Sequence, residues 1–308
     1  MRVSEAAERG RPYVTNSTDI VALASGRPVA VHRLSEGTSG RTVVLCHAAP
    51  GAGTFDPDPE QTHRRDVTLI AIDRPGYGRS TPIAPDNWAT VASAADDIAE
   101  VLSHMADAPV GVAGWSAGGR VALALAARHP EMVDRVAVIA TPAPNEEVPW
   151  IPEEQRVALD MLADVAPAEV RAIMLAQFAP LVPEGGDASE AMGLLGASDA
   201  DRGVLDRPGV RERLANMLAA AFAQGATGLV DDVAGYTLQP WGFDCDGVRA
   251  KVLLQFGADD PIAASAHGRW WQSQLPSARL EITPNVGHLV VVPQWGRTLA
   301  HLAPGTRR

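Results

Sequence analysis

The sequence predicts an α/β protein: a doubly wound, mostly parallel β-sheet interrupted by a helical insertion. Three observations lead there. Short apolar runs rich in β-branched residues, bounded by Gly, Pro or Asp, recur along the chain and alternate with segments of helical periodicity. Most of these runs lack a polar alternate face, the mark of strands covered on both sides. Finally, roughly residues 141 to 244 carry helical patterns and no convincing strand.

Taken in order, RPVAVHRL (27–34), RTVVLCH (41–47) and VTLIAID (67–73) read as strands. WATVASAADDIAEVLSHM (88–105) then places Ile98, Val101, Leu102 and Met105 on one helical face. PVGVAG (109–114) is a strand, GGRVALALAARHP (118–130) a helix ending near Pro130, and RVAVIA (135–140) another strand. TPAPNEEVPWIP (141–152) is a proline-rich hinge. Beyond it Val157, Met161 and Val165, then Val170, Met174, Phe178 and Leu181, recur at helical spacing. A glycine-rich break (182–203) precedes a further helix carrying Val210, Leu214, Met217 and Phe222. AKVLLQF (250–256) and ARLEIT (278–283) resume the strands. Strand and helix in alternation give parallel neighbours joined by crossovers. The expected division is a core of 1–143 and 245–308 with a helical cap, or lid, of 144–244 over the carboxyl edge of the sheet.

Composition removes several function classes. The chain of 308 residues, 46% hydrophobic and 20% charged, is able to bury a large core. Its 26 Lys and Arg against 37 Asp and Glu give a formal charge of -11, which repels phosphate backbones and anionic membranes. A small-molecule substrate is expected, with no nucleic-acid or membrane partner. Cys46 and Cys245, far apart in sequence, form neither a disulfide framework nor a metal cluster, as in a reducing compartment. The polar start MRVSEAAERGRPY is unlike a signal peptide, and no apolar run is long enough to span a bilayer, so a cytoplasmic location is expected. Lys251, the single lysine, opens an apolar run, which disfavours Schiff-base chemistry.

The most informative stretch is GWSAGG (114–119), where a strand runs straight into a helix. A G-x-S-x-G turn there holds Ser116 in strained geometry with its hydroxyl lifted clear of the sheet, and small neighbours avoid collisions between strand and helix. The helix N-terminus beside it favours developing negative charge. At these residues the sequence resembles the α/β-hydrolase superfamily, with GWSAGG as its nucleophile elbow, over nearly the whole chain from about Arg27.

The resemblance implies three further features. LCHAAPGAG (45–53) stands where the family has its oxyanion loop, so the backbone N–H of Ala49, or of Ala48, would join that of Ala117 around an oxyanion, with His47 anchoring the loop. In LLQFGADDPIAA (253–264) the family's spacing from Gly257 selects Asp260 over Asp259 as the acid, Asp259 facing solvent or capping a turn. In LEITPNVGHLVVVP (280–293), His288 completes the chain order Ser, Asp, His. The implied chemistry is acyl transfer to water without a cofactor: His288, oriented by Asp260, takes the Ser116 proton during attack on a carbonyl carbon.

Other signals rank lower. DRPGYGRS (73–80) matches a turn common after the fourth strand of the superfamily and lacks the pattern of a phosphate loop. Trp115, Met174 and Phe178 are candidates for pocket lining, Trp115 equally for packing, and the methionines and phenylalanines of the insertion for its core. No metal-ligand spacing is present. Ester or lactone hydrolysis leads. HAAPG resembles the HGGPG loop of proline iminopeptidases, although GWSAGG departs from their usual elbow, and the acidic NEEVPWIPEE (145–154) would suit a substrate amine. Hydrolysis of C–C bonds or thioesters on the same residues, perhydrolysis, and a non-catalytic ligand receptor or scaffold remain alternatives.

Overall fold

The computed structural model describes residues 17–106, 108–183 and 190–306. The polar N-terminal stretch and residues 184–189 of the glycine-rich break lie outside the described residues. Eight strands form one sheet: β1 (Ser17–Ala22), β2 (Pro28–Ser35), β3 (Thr42–Cys46), β4 (Thr68–Ile72), β5 (Val110–Trp115), β6 (Val133–Ile139), β8 (Lys251–Gly257) and β9 (Ala278–Thr283). Their spatial order is β1-β2-β4-β3-β5-β6-β8-β9. The pairs β1·β2 and β2·β4 are antiparallel and the remaining five are parallel. The doubly wound sheet expected from the sequence is present.

Burial follows the residue pattern. Every residue of β5 is buried, as its VGVAGW composition suits a central strand covered on both faces. Helix α2 (Val91–Ser103) starts at Thr90, whose hydroxyl accepts from the Ser93 backbone while the Ser93 hydroxyl accepts from that of Thr90. Its apolar face buries Ile98, Val101 and Leu102. Met105 lies past the end of the helix and is exposed, because the chain leaves helical geometry at His104. Helix α3 (Ala117–Arg128) buries Gly118 through Ala126, and it stops two residues before Pro130. A short α1 (Pro59–Arg64) follows β3, and α9 (Ser265–Gln274) and α10 (Val291–Leu302) complete the core.

Between β6 and β8 the chain adds no strand to the sheet. It contributes α4 (Glu153–Asp160), α5 (Pro167–Phe178), α6 (Arg202–Leu205), α7 (Val210–Ala221) and α8 (Thr227–Leu238). An extended piece, β7 (Ala223–Ala226), departs from the all-helical expectation; its sequence AQGA has no apolar β-branched run to signal it. Val170 and Met174 pack against Ala226, Val230 and Ala234 of the α8 region in a small core of their own. Met217 and Phe222 are buried as well. Helix α4 buries nothing: Val157 is 46% and Met161 77% exposed, so their helical spacing marks a solvent-facing turn rather than a core. Among the described residues no helix is long and apolar enough to cross a membrane.

Register sets up the site. Cys46 of β3 pairs with Gly114 of β5, Trp115 with Ile139 of β6, and Ile139 with Gln255 of β8. The loops leaving β3, β5 and β8, the last separated from β5 by β6 alone, therefore emerge at the same carboxyl edge, where open α/β sheets place their ligands.

Candidate active site

Ser116 has φ +55° and ψ -123°, a conformation costing about 1–3 kcal/mol for a residue with a side chain. Three hydrogen bonds hold it: Ser116 N–H to the Ile139 carbonyl (2.8 Å), Thr141 Oγ1 to the Ser116 carbonyl (2.9 Å), and Gly119 N–H to that same carbonyl (3.0 Å). The flanking glycines allow the turn to close. A Cβ on Gly114 would sit 2.3 Å from the Gly118 carbonyl oxygen, and one on Gly118 would sit 2.1 Å from that of Cys46. Both obstacles are backbone, so no side-chain adjustment relieves them.

The Ser116 hydroxyl lies 2.9 Å from His288 Nε2, and His288 Nδ1 lies 2.8 Å from Asp260 Oδ2. A carboxylate only accepts, so Nδ1 carries the ring proton and Nε2 is free to accept from the serine. The other Asp260 oxygen accepts from the backbone N–H groups of Ile262 (2.8 Å) and Ala263 (2.9 Å). Burial alone would raise this carboxyl; attraction to His288, the hydrogen bond from its ring and the two amides outweigh burial and hold it below the usual carboxylate range. Neighbouring Asp259 faces solvent.

His288 is itself held from two sides. Trp115 Nε1 donates to the His288 carbonyl (3.0 Å). Asp201, fully buried in the insertion, accepts through one oxygen from the N–H groups of Gly287 (2.9 Å) and Leu289 (3.2 Å), the residues on either side of the imidazole.

The loop after β3 is fixed just as firmly. His47 Nδ1 donates to the Ala48 carbonyl (2.8 Å), and its Nε2 accepts from the Arg74 backbone (3.2 Å). Burial, with the Arg74 charge adding to it, pushes His47 well below the ordinary imidazole value, so the ring stays neutral. The Arg74 guanidinium donates to the carbonyls of His47 (2.6 Å) and Ala48 (2.9 Å), then closes on Asp232 of α8 at 2.6 Å. The backbone N–H groups of Ala49 and Ala117 donate to no group among the described residues. Both residues line the same cavity as Ser116.

That cavity has a volume of about 350 Å³ and is walled by apolar side chains of the insertion, including Trp150, Ile151, Leu159, Phe178 and Leu229. Phe178 therefore faces it. Trp115 and Met174 do not. Trp115 is buried behind the elbow, its ring between those of Phe55 and His288, because alternation along β5 turns it away from the face that Ser116 presents. Met174 is enclosed between α5 and α8.

Arg120, Asp232, Asp201 and Trp150 are site residues that sequence reasoning missed. For Arg120 a signal existed, since four residues beyond Ser116 on a helix return to the same face. Among the described residues, no group of three or more His, Cys, Asp or Glu side chains is placed to hold a metal ion.

The sequence matches the alpha/beta hydrolase fold family over residues 41–293. The chain belongs to that family. This α/β hydrolase is similar to the pimeloyl-[acyl-carrier protein] methyl ester esterase of Chromobacterium violaceum, 27% identical over 252 residues, covering 81% of this chain and 87% of the relative. It is also similar to the enzyme of that name from Neisseria meningitidis serogroup B, 30% identical over 225 residues, covering 71% and 75%. A hydrolase from Pseudomonas aeruginosa superposes with a TM-score of 0.68 at 22% identity, covering 94% of this chain and all of that one.

Proposed function

We propose that this hydrolase cleaves a small carboxylic ester through an acyl-enzyme on Ser116, with the helices of 144–244 acting as a cap over the reacting groups. One observation carries the reading: the unbroken row Ser116, His288, Asp260 opens on an apolar cavity. As Ser116 Oγ attacks the carbonyl carbon, its proton passes to His288 Nε2, and Asp260 stabilises the resulting imidazolium. The carbonyl oxygen becomes an oxyanion facing the N–H groups of Ala49 and Ala117 and the positive end of α3. Collapse expels the alcohol, which takes the proton from His288. A water, deprotonated by the same nitrogen, then attacks the acyl group and releases the acid and Ser116.

Two considerations support an ester over a prolyl amide. Several of the similar curated proteins are named methyl ester esterases, and others a putative carbamate hydrolase. In addition, the cavity wall beside Ser116 holds the buried cation Arg120, which repels a substrate ammonium, whereas the exposed Glu146 and Glu147 do not line that cavity.

A panel of p-nitrophenyl esters, lactones and prolyl amides, assayed with wild-type and Ser116→Ala protein, tests the proposal. Esters or lactones should be preferred, with a loss of about 10⁴-fold or more in kcat for the variant. Preference for prolyl amides, or unchanged ester turnover by Ser116→Ala, would overturn it.

A further inference from the structure

Arg120 is a buried cation that meets no carboxylate at ion-pair distance among the described residues; Glu146 acts on it only from farther off. It is only 6% exposed, yet its guanidinium donates solely to the Pro142 carbonyl among the described residues, from Nε at 3.4 Å and Nη2 at 3.2 Å. Both contacts are long for charge-assisted bonds. The guanidinium carbon lies 4.6 Å from the Trp241 ring centre and 5.7 Å from that of Trp150, which position the charge without neutralising it. Arg74 sets the contrast. Equally buried, it is matched by the Asp232 carboxylate and two carbonyls. Buried charges are ordinarily paired in this second way, because an unpaired ion loses its hydration without compensation.

Location gives the missing partner an address. Arg120 lies one helical turn beyond Ser116 and lines the same cavity. Both side chains thus face one cavity, so a small substrate can span them. Arg120 also borders an adjoining groove of about 440 Å³ walled by Trp150, Tyr236 and Trp241 and edged by the exposed Glu146, so a chain leaving Ser116 in this direction has room. The other charged residue lining the cavity, Asp232, is already matched by Arg74. Arg120 is thus the charge on the cavity's lining that has no ion-pair partner among the described residues. Burial lowers its pKa to about 10, which still leaves it protonated at neutral pH.

From this unpaired guanidinium beside Ser116 we infer that the substrate is an anionic ester, one that carries a carboxylate which seats on Arg120 while its ester carbonyl meets Ser116. The inference rests on the serine esterase reading and specifies its substrate class. Arg120 is a specificity-determining residue here; it takes no part in bond making.

Binding is measured apart from turnover. Ser116→Ala protein is titrated calorimetrically with monomethyl glutarate and with neutral dimethyl glutarate. The monoanion should bind about 10- to 100-fold more tightly, the range of a charged hydrogen-bonded contact, and adding Arg120→Met should abolish the difference. Arg120→Lys, which keeps the charge and loses the fork, should retain part of it. In wild-type protein, kcat/KM is compared for mono-p-nitrophenyl glutarate against p-nitrophenyl pentanoate, and for butyryl glycolate against ethyl butyrate, placing the carboxylate on either side of the ester. Preference for the anion in at least one pair, reduced about tenfold or more in Arg120→Met relative to its neutral counterpart, supports the inference. Equal binding of both glutarates, or no anionic preference in either pair, overturns it, and these arms stand even if Arg120→Met fails to fold. If Ser116→Ala retained ester turnover while the monoanion preference persisted, the serine mechanism would fall and the carboxylate site would stand.

Discussion

Asp232→Asn removes one charge from the ion pair by which the insertion holds Arg74, the residue after β4 that clamps the loop after β3, and two separable losses should follow. Asp232 and Arg74 are each 3% exposed at the side chain and meet at 2.6 Å. Taking one partner from a buried pair costs about 3–5 kcal/mol, because the other charge is left without compensation. With about 2 cal/mol/K of unfolding entropy per residue, a chain of 308 residues should lose roughly 5–8 °C in Tm. The second loss is kinetic. Arg74 also holds the His47 and Ala48 carbonyls, so a guanidinium released from Asp232 moves the loop and takes the Ala49 amide with it. A misplaced oxyanion donor lowers kcat by about 10²-fold or more. Scanning calorimetry and steady-state hydrolysis of p-nitrophenyl butyrate measure both. The double variant Arg74→Met with Asp232→Leu should recover most of the Tm, since an apolar pair replaces the ionic one, while kcat stays low because the clamp on the loop is gone. Asp96→Asn, at the more exposed pair with Arg128, should cost no more than about 1 kcal/mol. Wild-type kcat in Asp232→Asn would refute the idea that this pair positions the loop.

Asp201→Ala should lower kcat more than it changes KM, because it frees the backbone on both sides of His288; Asp201→Asn, which keeps one accepting oxygen, should recover part of the rate, and a shifted pH–rate profile would separate this positioning effect from a general loss of stability. Asp56 is buried beside Phe55 and pushed up to about 7 by burial, against hydrogen bonds from Thr62 and the Asp58 amide. The folded state therefore binds this proton more tightly than the unfolded state. Stability from this group is full below about pH 4 and declines as pH rises toward 7, with a slope of at most about 1.4 kcal/mol per pH unit. Asp56→Asn should flatten that decline in chemical-denaturation curves taken from pH 4 to 7, and an unchanged slope would count against the assignment.

The central strands and the elbow were readable because local chemistry decides them. VTLIAID and PVGVAG are apolar on both faces, and the crowding at Gly114 comes from Gly118 and Gly119, only four and five residues along the chain. Strand β1 escaped notice because STDIVA lies at the sheet edge with mostly exposed side chains and no apolar run. Val157 and Met161 misled because helical spacing reports a face without saying what covers it. Asp260 and His288 came from resemblance to a family, since nothing within LLQFGADDPIAA tells one aspartate from its neighbour; the backbone donors from Ile262 and Ala263 are what turn Asp260 inward. Arg74, Asp201 and Asp232 find partners far along the chain, and such pairings leave no local pattern.

Covalent labelling by a fluorophosphonate, followed by intact-mass measurement and peptide mapping, bears most directly on the claim that Ser116 is an activated nucleophile. The account predicts one label per chain, on Ser116, abolished by Ser116→Ala, sharply slowed by His288→Ala, and lost on unfolding. Folded wild-type protein that resists the reagent, or a label carried on another residue, would contradict it.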